Sequence, residues 1–188
     1  MDETDKSGLP EGLNLLLKSH ENELNPEELY KSKGDIILKQ GNENSDLYLL
    51  LEGSVSVEVS YEKDLSFSLA YLDSFNLLGE MTLFGDEIIS ASVIVQTKSA
   101  KFLRIKGSEL LSSIMFDSEL AIELLLIASN RSQRSSNVIG LIMHCLYAIK
   151  TDNKEFFEDM YQKLLILNPH VANSLNDLSG FYKNNLSE

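Results

Sequence analysis

The stretch from Asp117 to Lys150 contains no proline and one glycine, Gly140, and its apolar residues recur at helical spacing. It reads as a single long helix, because a proline inside it would remove a backbone donor and clash with the preceding turn. Two apolar stripes interleave along it. One runs through Leu120, Leu124, Ile127, Arg131, Arg134, Val138, Leu141 and Cys145; the other through Ala121, Leu125, Ala128, Ser132, Ser135, Ile139, Ile142, Leu146 and Ile149. A helix apolar on two faces has two things to pack against. One face suits its own chain, and the other a second copy of the same helix, giving a homodimer of coiled-coil type. The alternative buries both faces within one monomer, beneath the C-terminal segment.

Upstream the period changes from that of a helix to that of a strand. Val55, Val57, Val59 and Tyr61 alternate with Ser54, Ser56, Glu58 and Ser60, which predicts a half-buried strand. Short strands are also expected over Ile36 to Lys39, Leu47 to Leu51, Phe67 to Leu72, Ser92 to Gln96 and Lys101 to Ile105, with Gly41-Asn42 and Gly53 turning the chain between them. Many short strands at close intervals predict a jelly-roll barrel. Before it, Leu9, Leu13, Leu16 and Leu17 have helical spacing, and Asn25-Pro26 is expected to open a second short helical turn. After the long helix, Asn153 to Leu167 and Val171 to Asn184 should form two helices split by Pro169. The organisation expected is a domain over 1–150, with its barrel at about 30–106 and its long helix at about 117–150, and a helical extension over 151–188.

One stretch of the barrel carries chemistry. Phe75 to Val95 reads F-N-L-L-G-E-M-T-L-F-G-D-E-I-I-S-A-S-V-I-V. Gly79-Glu80 opens a turn, Met81 to Phe84 reads as a stub of helix, and Ser90-Ala91-Ser92-Val93 returns to a strand. A turn feeding a helix start presents free backbone N–H groups, which suit an anion. No basic residue lies in the stretch.

Two further blocks flank it. Tyr30 to Val57 reads Y-K-S-K-G-D-I-I-L-K-Q-G-N-E-N-S-D-L-Y-L-L-L-E-G-S-V-S-V, and Phe102 to Arg131 reads F-L-R-I-K-G-S-E-L-L-S-S-I-M-F-D-S-E-L-A-I-E-L-L-L-I-A-S-N-R. With the cassette between them, these resemble the cyclic nucleotide-binding domain of the catabolite-activator superfamily over roughly Leu9 to Ile149. The resemblance implies a mainly β fold with flanking helices, a jelly-roll barrel of the double-stranded β-helix kind, a hinge around Ile105 to Asp117 and a long dimerisation helix. It also implies roles. The position of Glu80 holds the ribose 2′-hydroxyl, an arginine pairs with the cyclic phosphate, and the next residue, here Ser90, adds a hydroxyl. Gly79, Met81, Thr82, Leu83 and Ala91 complete the cassette, and Ser135 and Ser136 match positions on the long helix that touch the base. Where the family places its arginine, this chain has Ile89, which can neither donate a hydrogen bond nor neutralise charge. Cyclic AMP and cyclic GMP are therefore the first ligands to test, yet both are disfavoured. The chain reads as a non-enzymatic regulatory module with weak or no binding of either. Two alternatives stand beside this: a constitutive dimeric scaffold with a closed barrel in which Ile89 fills the emptied pocket, and a sensor of a cyclic nucleotide or another small ligand through a non-standard cassette.

Composition narrows the partners. Lys and Arg total 16 against 29 Asp and Glu, a net charge of −13, and an acidic chain is repelled by phosphate backbones. Only Lys154, Lys163 and Lys183 are basic after Thr151, scattered rather than gathered on a recognition helix, so no nucleic acid partner is expected. The acidic start, M-D-E-T-D-K, is unlike a secretory leader, and no apolar run is long enough to span a bilayer; a cytoplasmic protein is expected. The single cysteine, Cys145, lies in an apolar stripe and reads as inert core. His20, His144 and His170 have no metal-ligand spacing, no nucleophile or phosphate-loop motif occurs, and Glu80 and Asp86 read as binding or surface carboxylates, so no enzyme and no metal are expected. A fainter resemblance lies in the tail. Leu141, His144 and Ala148 recur as Leu175, Leu178 and Tyr182 at the tetratricopeptide period. It implies a helical surface that could dock a protein partner.

Overall fold

In a strand successive side chains point to opposite faces of the sheet, and at Val55 and Ser56 both faces are buried, Val55 in the apolar cluster and Ser56 hydrogen-bonded to Glu58 and Gln96. The structure is a computed structural model that describes Leu17 and residues 19–62, 65–84 and 87–176. Among these, the strands are β1 (Glu27–Ser32), β2 (Ile36–Leu38), β3 (Leu47–Glu52), β4 (Ser54–Glu62), β5 (Leu65–Asp73), β6 (Asn76–Leu78), β7 (Ser92–Val95) and β8 (Ser99–Ile105). They form two four-stranded sheets in the orders β1-β8-β3-β6 and β2-β7-β4-β5. Consecutive strands thus alternate largely between the two sheets, the winding of a jelly roll. The helices are α1 (Glu21–Leu24), α2 (Glu80–Phe84), α3 (Gly107–Phe116), α4 (Ser118–Lys150) and α5 (Lys154–Leu167), followed by α6 over 169–176.

The chain divides into two compact units, Met1–Ser66 with Tyr71–Ser129, and Phe67–Ala70 with Asn130–Glu188. The boundary falls within α4. The first unit has two apolar clusters. In one, Leu47, Leu49 and Leu77 of the sheet meet Leu24, Leu110, Leu120 and Leu124 of the helices. In the other, Leu38, Leu50, Val55, Leu78, Val93, Val95 and Phe102 fill the space between the sheets. The second unit has its own cluster of Cys145, Met160, Leu164, Ala172 and Leu175. Burial there pushes the Cys145 thiol pKa up, which keeps it protonated and inert, as its apolar stripe predicts.

The first stripe of α4 is buried at Leu120, Leu124, Ile127 and Cys145. The second stripe is mostly exposed: Leu125 is 55% accessible, Ile139 61% and Leu146 46%. The C-terminal segment expected to cover that face in the alternative lies partly outside the described residues.

Several expectations need correction. Asn25-Pro26 does not open a helical turn. The helix ends at Leu24, Asn25 takes a φ of 38°, and Pro26 leads into β1. A left-handed residue just past a helix is a stop signal, and Asn tolerates it. Ser90 and Ala91 precede the strand, which starts at Ser92, and the helical stub begins at Glu80 instead of Met81. The segment Ile105 to Asp117, expected as a hinge, carries the helix α3. Pro169 is the first residue of α6, so that helix starts two residues before Val171. The reason is a cap. Asn168 Oδ1 accepts from the Val171 N–H at 3.2 Å, and proline is tolerated at the first helical position, where its missing N–H would be unpaired anyway. The helix expected over Leu9 to Lys18, apart from Leu17, and the repeat partners Leu178 and Tyr182 lie outside the described residues.

Candidate functional site

The cassette begins at a backbone position that requires glycine. Gly79 has a φ of 87°, and a Cβ there would lie 2.6 Å from the Asp46 carbonyl oxygen. The close approach exists because the 44–46 loop is clasped to α2. Asn44 Nδ2 donates to the Asp46 carbonyl at 2.8 Å and to Thr82 Oγ1 at 2.9 Å, and Thr82 Oγ1 donates to the Gly79 carbonyl at 2.8 Å. Thr82 is buried, and Leu83 packs against the first cluster. Met81 is exposed. Glu80, the first residue of α2, is 2% accessible, a depth at which a carboxylate must be engaged by polar groups.

Ile89 is 6% accessible and belongs to the cluster between the sheets, with Leu38, Leu78 and Val93. Its backbone is also fixed. The Ile89 N–H donates to the Asn42 carbonyl at 2.9 Å, and its carbonyl accepts from the Gly41 N–H at 2.9 Å. Ser90 is exposed and Ala91 half-buried. Gly79 to Leu83 and Ile89 to Ala91 thus share the first compact unit. Ser135 and Ser136 belong to the second, where both are exposed on α4.

Sequence reasoning did not single out the polar frame behind the cassette. Asp46 Oδ2 accepts from Arg104 Nε at 2.7 Å and pairs with Nη2 at 2.6 Å, while Nη1 of the same arginine is 3.3 Å from Glu27. Asp46 holds the guanidinium pKa above its ordinary value. Asp46 Oδ1 accepts a long bond from the Gly107 N–H at 3.4 Å. A Cβ at Gly107 would overlap the Ser45 carbonyl oxygen, so α3 starts hard against the same loop. A cleft of about 500 Å³ opens here, bordered by Asp46, Thr82, Leu83, Glu87, Arg104 and Lys106 among others. Of the cassette candidates only Thr82 and Leu83 border it. The signal that could have flagged this frame is Arg104 itself, a cation within the expected strand Lys101 to Ile105.

Among the described residues, no three His, Cys, Asp or Glu side chains are grouped to hold a metal ion, and no helix is long and apolar enough to cross a membrane.

Comparison with known proteins agrees with this geometry. Residues 28–116 match the family model of the cyclic nucleotide-binding domain. The match ends before the tail, so it does not bear on the tetratricopeptide resemblance. No curated protein matches the chain. Solved structures do. A transcriptional regulator from Thermotoga maritima is 23% identical, with 64% of this chain and 92% of that one covered at a TM-score of 0.57. The sensor domain of the regulator DNR from Pseudomonas aeruginosa is 20% identical, covering 63% and 91% at 0.54. The catabolite activator protein of Thermus thermophilus is 17% identical, covering 95% and 85% at 0.56. At these identities the likeness is one of fold. With the family match and the jelly-roll winding of the two sheets, it identifies residues 28–116 as a domain of the cyclic nucleotide-binding fold.

Proposed function

We propose that this chain is a non-enzymatic, cytoplasmic regulatory module that has kept the backbone of a cyclic nucleotide cassette and does not use it to hold a cyclic phosphate. The observation that carries the reading is Ile89, an apolar side chain 6% accessible within the cluster between the sheets. A cyclic phosphate needs a donor and a compensating charge, and isoleucine supplies neither. A hydrogen bond to a charged group contributes about 1.5–3 kcal/mol. Its loss weakens binding by roughly one to two decades. Glu80 adds a carboxylate to the same cassette, which repels an anion.

The module acts through its helices. In the first unit Ile122, Leu125 and Leu126 of α4 are exposed, and in the second Ile139, Met143 and Leu146 are, which suits pairing of two copies along this helix. DNA is not a partner on this reading. The chain carries a net charge of −13, Lys163 is paired with Asp159 at 2.8 Å, and Arg134 is engaged by the Leu167 carbonyl at 2.8 Å.

Calorimetric titration of cyclic AMP and cyclic GMP into the native protein and into Ile89→Arg tests the cassette. The expected result is silence from the native chain and binding by the variant. Micromolar binding by the native chain would overturn the reading. Silence from both would leave the exposed helix faces as the functional surface, the scaffold alternative.

A further inference from the structure

A single residue, Asp117, joins α3 to α4, and its carboxylate is divided between two tasks. Oδ1 accepts from the backbone N–H groups of Glu119 at 2.8 Å and Leu120 at 3.2 Å, which caps the long helix. Oδ2 lies 2.7 Å from Nε2 of His20. The other ring nitrogen, Nδ1, is 2.9 Å from Glu23 Oε2. His20 in turn starts α1, its carbonyl accepting from the Leu24 N–H at 2.9 Å.

Ionised carboxylates accept and cannot donate, so an imidazole bonded to two of them carries a proton on each nitrogen. Neutral imidazole has one N–H and leaves one of the two carboxylates without a donor. Lysine or arginine in this place would stay charged throughout the physiological range, whereas histidine changes charge within it. We propose that His20 is a proton-operated latch on the α3–α4 junction. As imidazolium it ties α1 to the capping carboxylate of the long helix; as neutral imidazole it releases one of its two partners. What the latch holds in register is a packed seam, since Leu24, Leu120 and Leu124 share one apolar cluster.

The two ionisable groups that meet the ring, Glu23 on α1 and Asp117 at the junction, both favour its charged form. The neighbouring α3 carries Glu109, which is engaged by Lys106 Nζ at 3.3 Å. The pKa of His20 is raised above 6.5, first by the hydrogen bond to Asp117 and then by that to Glu23, against its partial burial. That of Asp117 is lowered, chiefly by His20. A raised histidine pKa means that the stabilisation is complete below 6.5 and is lost as pH climbs through the folded-state value. The lowered aspartate sets the acid edge, so the bridge is whole in weakly acidic solution and opens on the alkaline side.

The test uses the full chain and does not depend on what the cassette binds. Proton NMR of the imidazole C–H signals, with His20→Gln to identify the His20 signal, gives the titration of His20. Amide hydrogen exchange at Leu120 to Leu124, corrected for intrinsic base catalysis, gives the state of the helix start. The expected result is a His20 midpoint above 6.5 and protection that falls about three-fold as pH passes through it, the scale of a single partly exposed ion pair. His20→Gln should sit at the low level at every pH. Asp117→Asn keeps an oxygen to cap the helix, and it should drop the midpoint and flatten the profile. Native protection that ignores the His20 titration, or the same pH dependence in His20→Gln, would overturn the proposal.

Discussion

Gly79 and Gly34 form a matched pair that separates two costs. Both have left-handed backbones, with φ of 87° and 90°, so alanine at either position meets the same conformational penalty. That penalty is about 1–2 kcal/mol. Alanine also restricts the unfolded chain, which returns about 0.4–1 kcal/mol. Gly34 has nothing within 4 Å of an added Cβ, so Gly34→Ala should cost only the difference, about 1 kcal/mol. At Gly79 the added carbon would sit 2.6 Å from a backbone oxygen, that of Asp46, and 3.1 Å from Asn44 Nδ2. Neither can retreat without disturbing the Asn44–Thr82 bond or the Asp46–Arg104 pair, and forced overpacking costs about 1–3 kcal/mol more. Gly79→Ala should therefore cost about 2–4 kcal/mol in all. Urea unfolding followed by far-ultraviolet circular dichroism reads this directly. With a slope of ~2 kcal/mol per molar, the midpoint should fall by about 1–2 M for Gly79→Ala and by about 0.5 M for Gly34→Ala, at unchanged slope. Equal shifts for the two variants would refute the close approach of the 44–46 loop to the cassette turn.

Leu124 and Leu125 stand side by side on α4 with opposite fates, one fully buried and the other 55% exposed. Leu124→Ala should lower stability by about 3–5 kcal/mol at any protein concentration, as read by denaturant unfolding. Leu125→Ala should leave the fold intact and weaken self-association, as read by sedimentation at several concentrations. In Ile89→Arg the burial of an isoleucine, about 1.5–3 kcal/mol, is lost, so its melting temperature without nucleotide should fall below that of the native chain. Cyclic nucleotide at a hundred times its dissociation constant should return about 2.7 kcal/mol to the variant and leave the native melt unmoved.

The sequence displayed what strict alternation and long unbroken periods can display. β4 follows from Val55, Val57 and Val59, and α4 from the absence of proline, because both patterns persist for many residues. β1 was hidden by its own polarity. Glu27 and Glu28 look like a helix start after Pro26, yet they are answered across the ladder by Arg104 at 3.3 Å and by Lys101 at 2.6 Å. A partner about seventy residues away leaves no trace in local spacing. β6, Asn76–Leu78, is too short for any period to register. At the cassette, Gly79 and Ile89 could be read in advance. The oxygen that makes Gly79 obligatory belongs to Asp46, and no pattern in the chain joins those positions.

That division explains how the cassette turn holds its shape without help from the side chain at position 89. The contacts that hold the turn and α2 lie behind them: Gly79 against Asp46, Thr82 against Asn44, Asp46 against Arg104 and Gly107. None of them passes through the side chain of position 89. Ile89 is held by its backbone, between Gly41 and Asn42, and its side chain is left to pack with whatever the two sheets provide, here Leu38, Leu78 and Val93. A frame fastened from behind does not need a ligand to persist, and a side chain not used for fastening can be hydrocarbon at little cost to the fold. The same fastening links the cassette to the start of α3 through Gly107, one helix away from the junction that His20 grips. Loop 44–46 and Asp117 therefore stand at the two ends of α3, the first tied to the cassette turn and the second to the imidazole of His20. Of the two, the second carries the chemistry that changes within the physiological range.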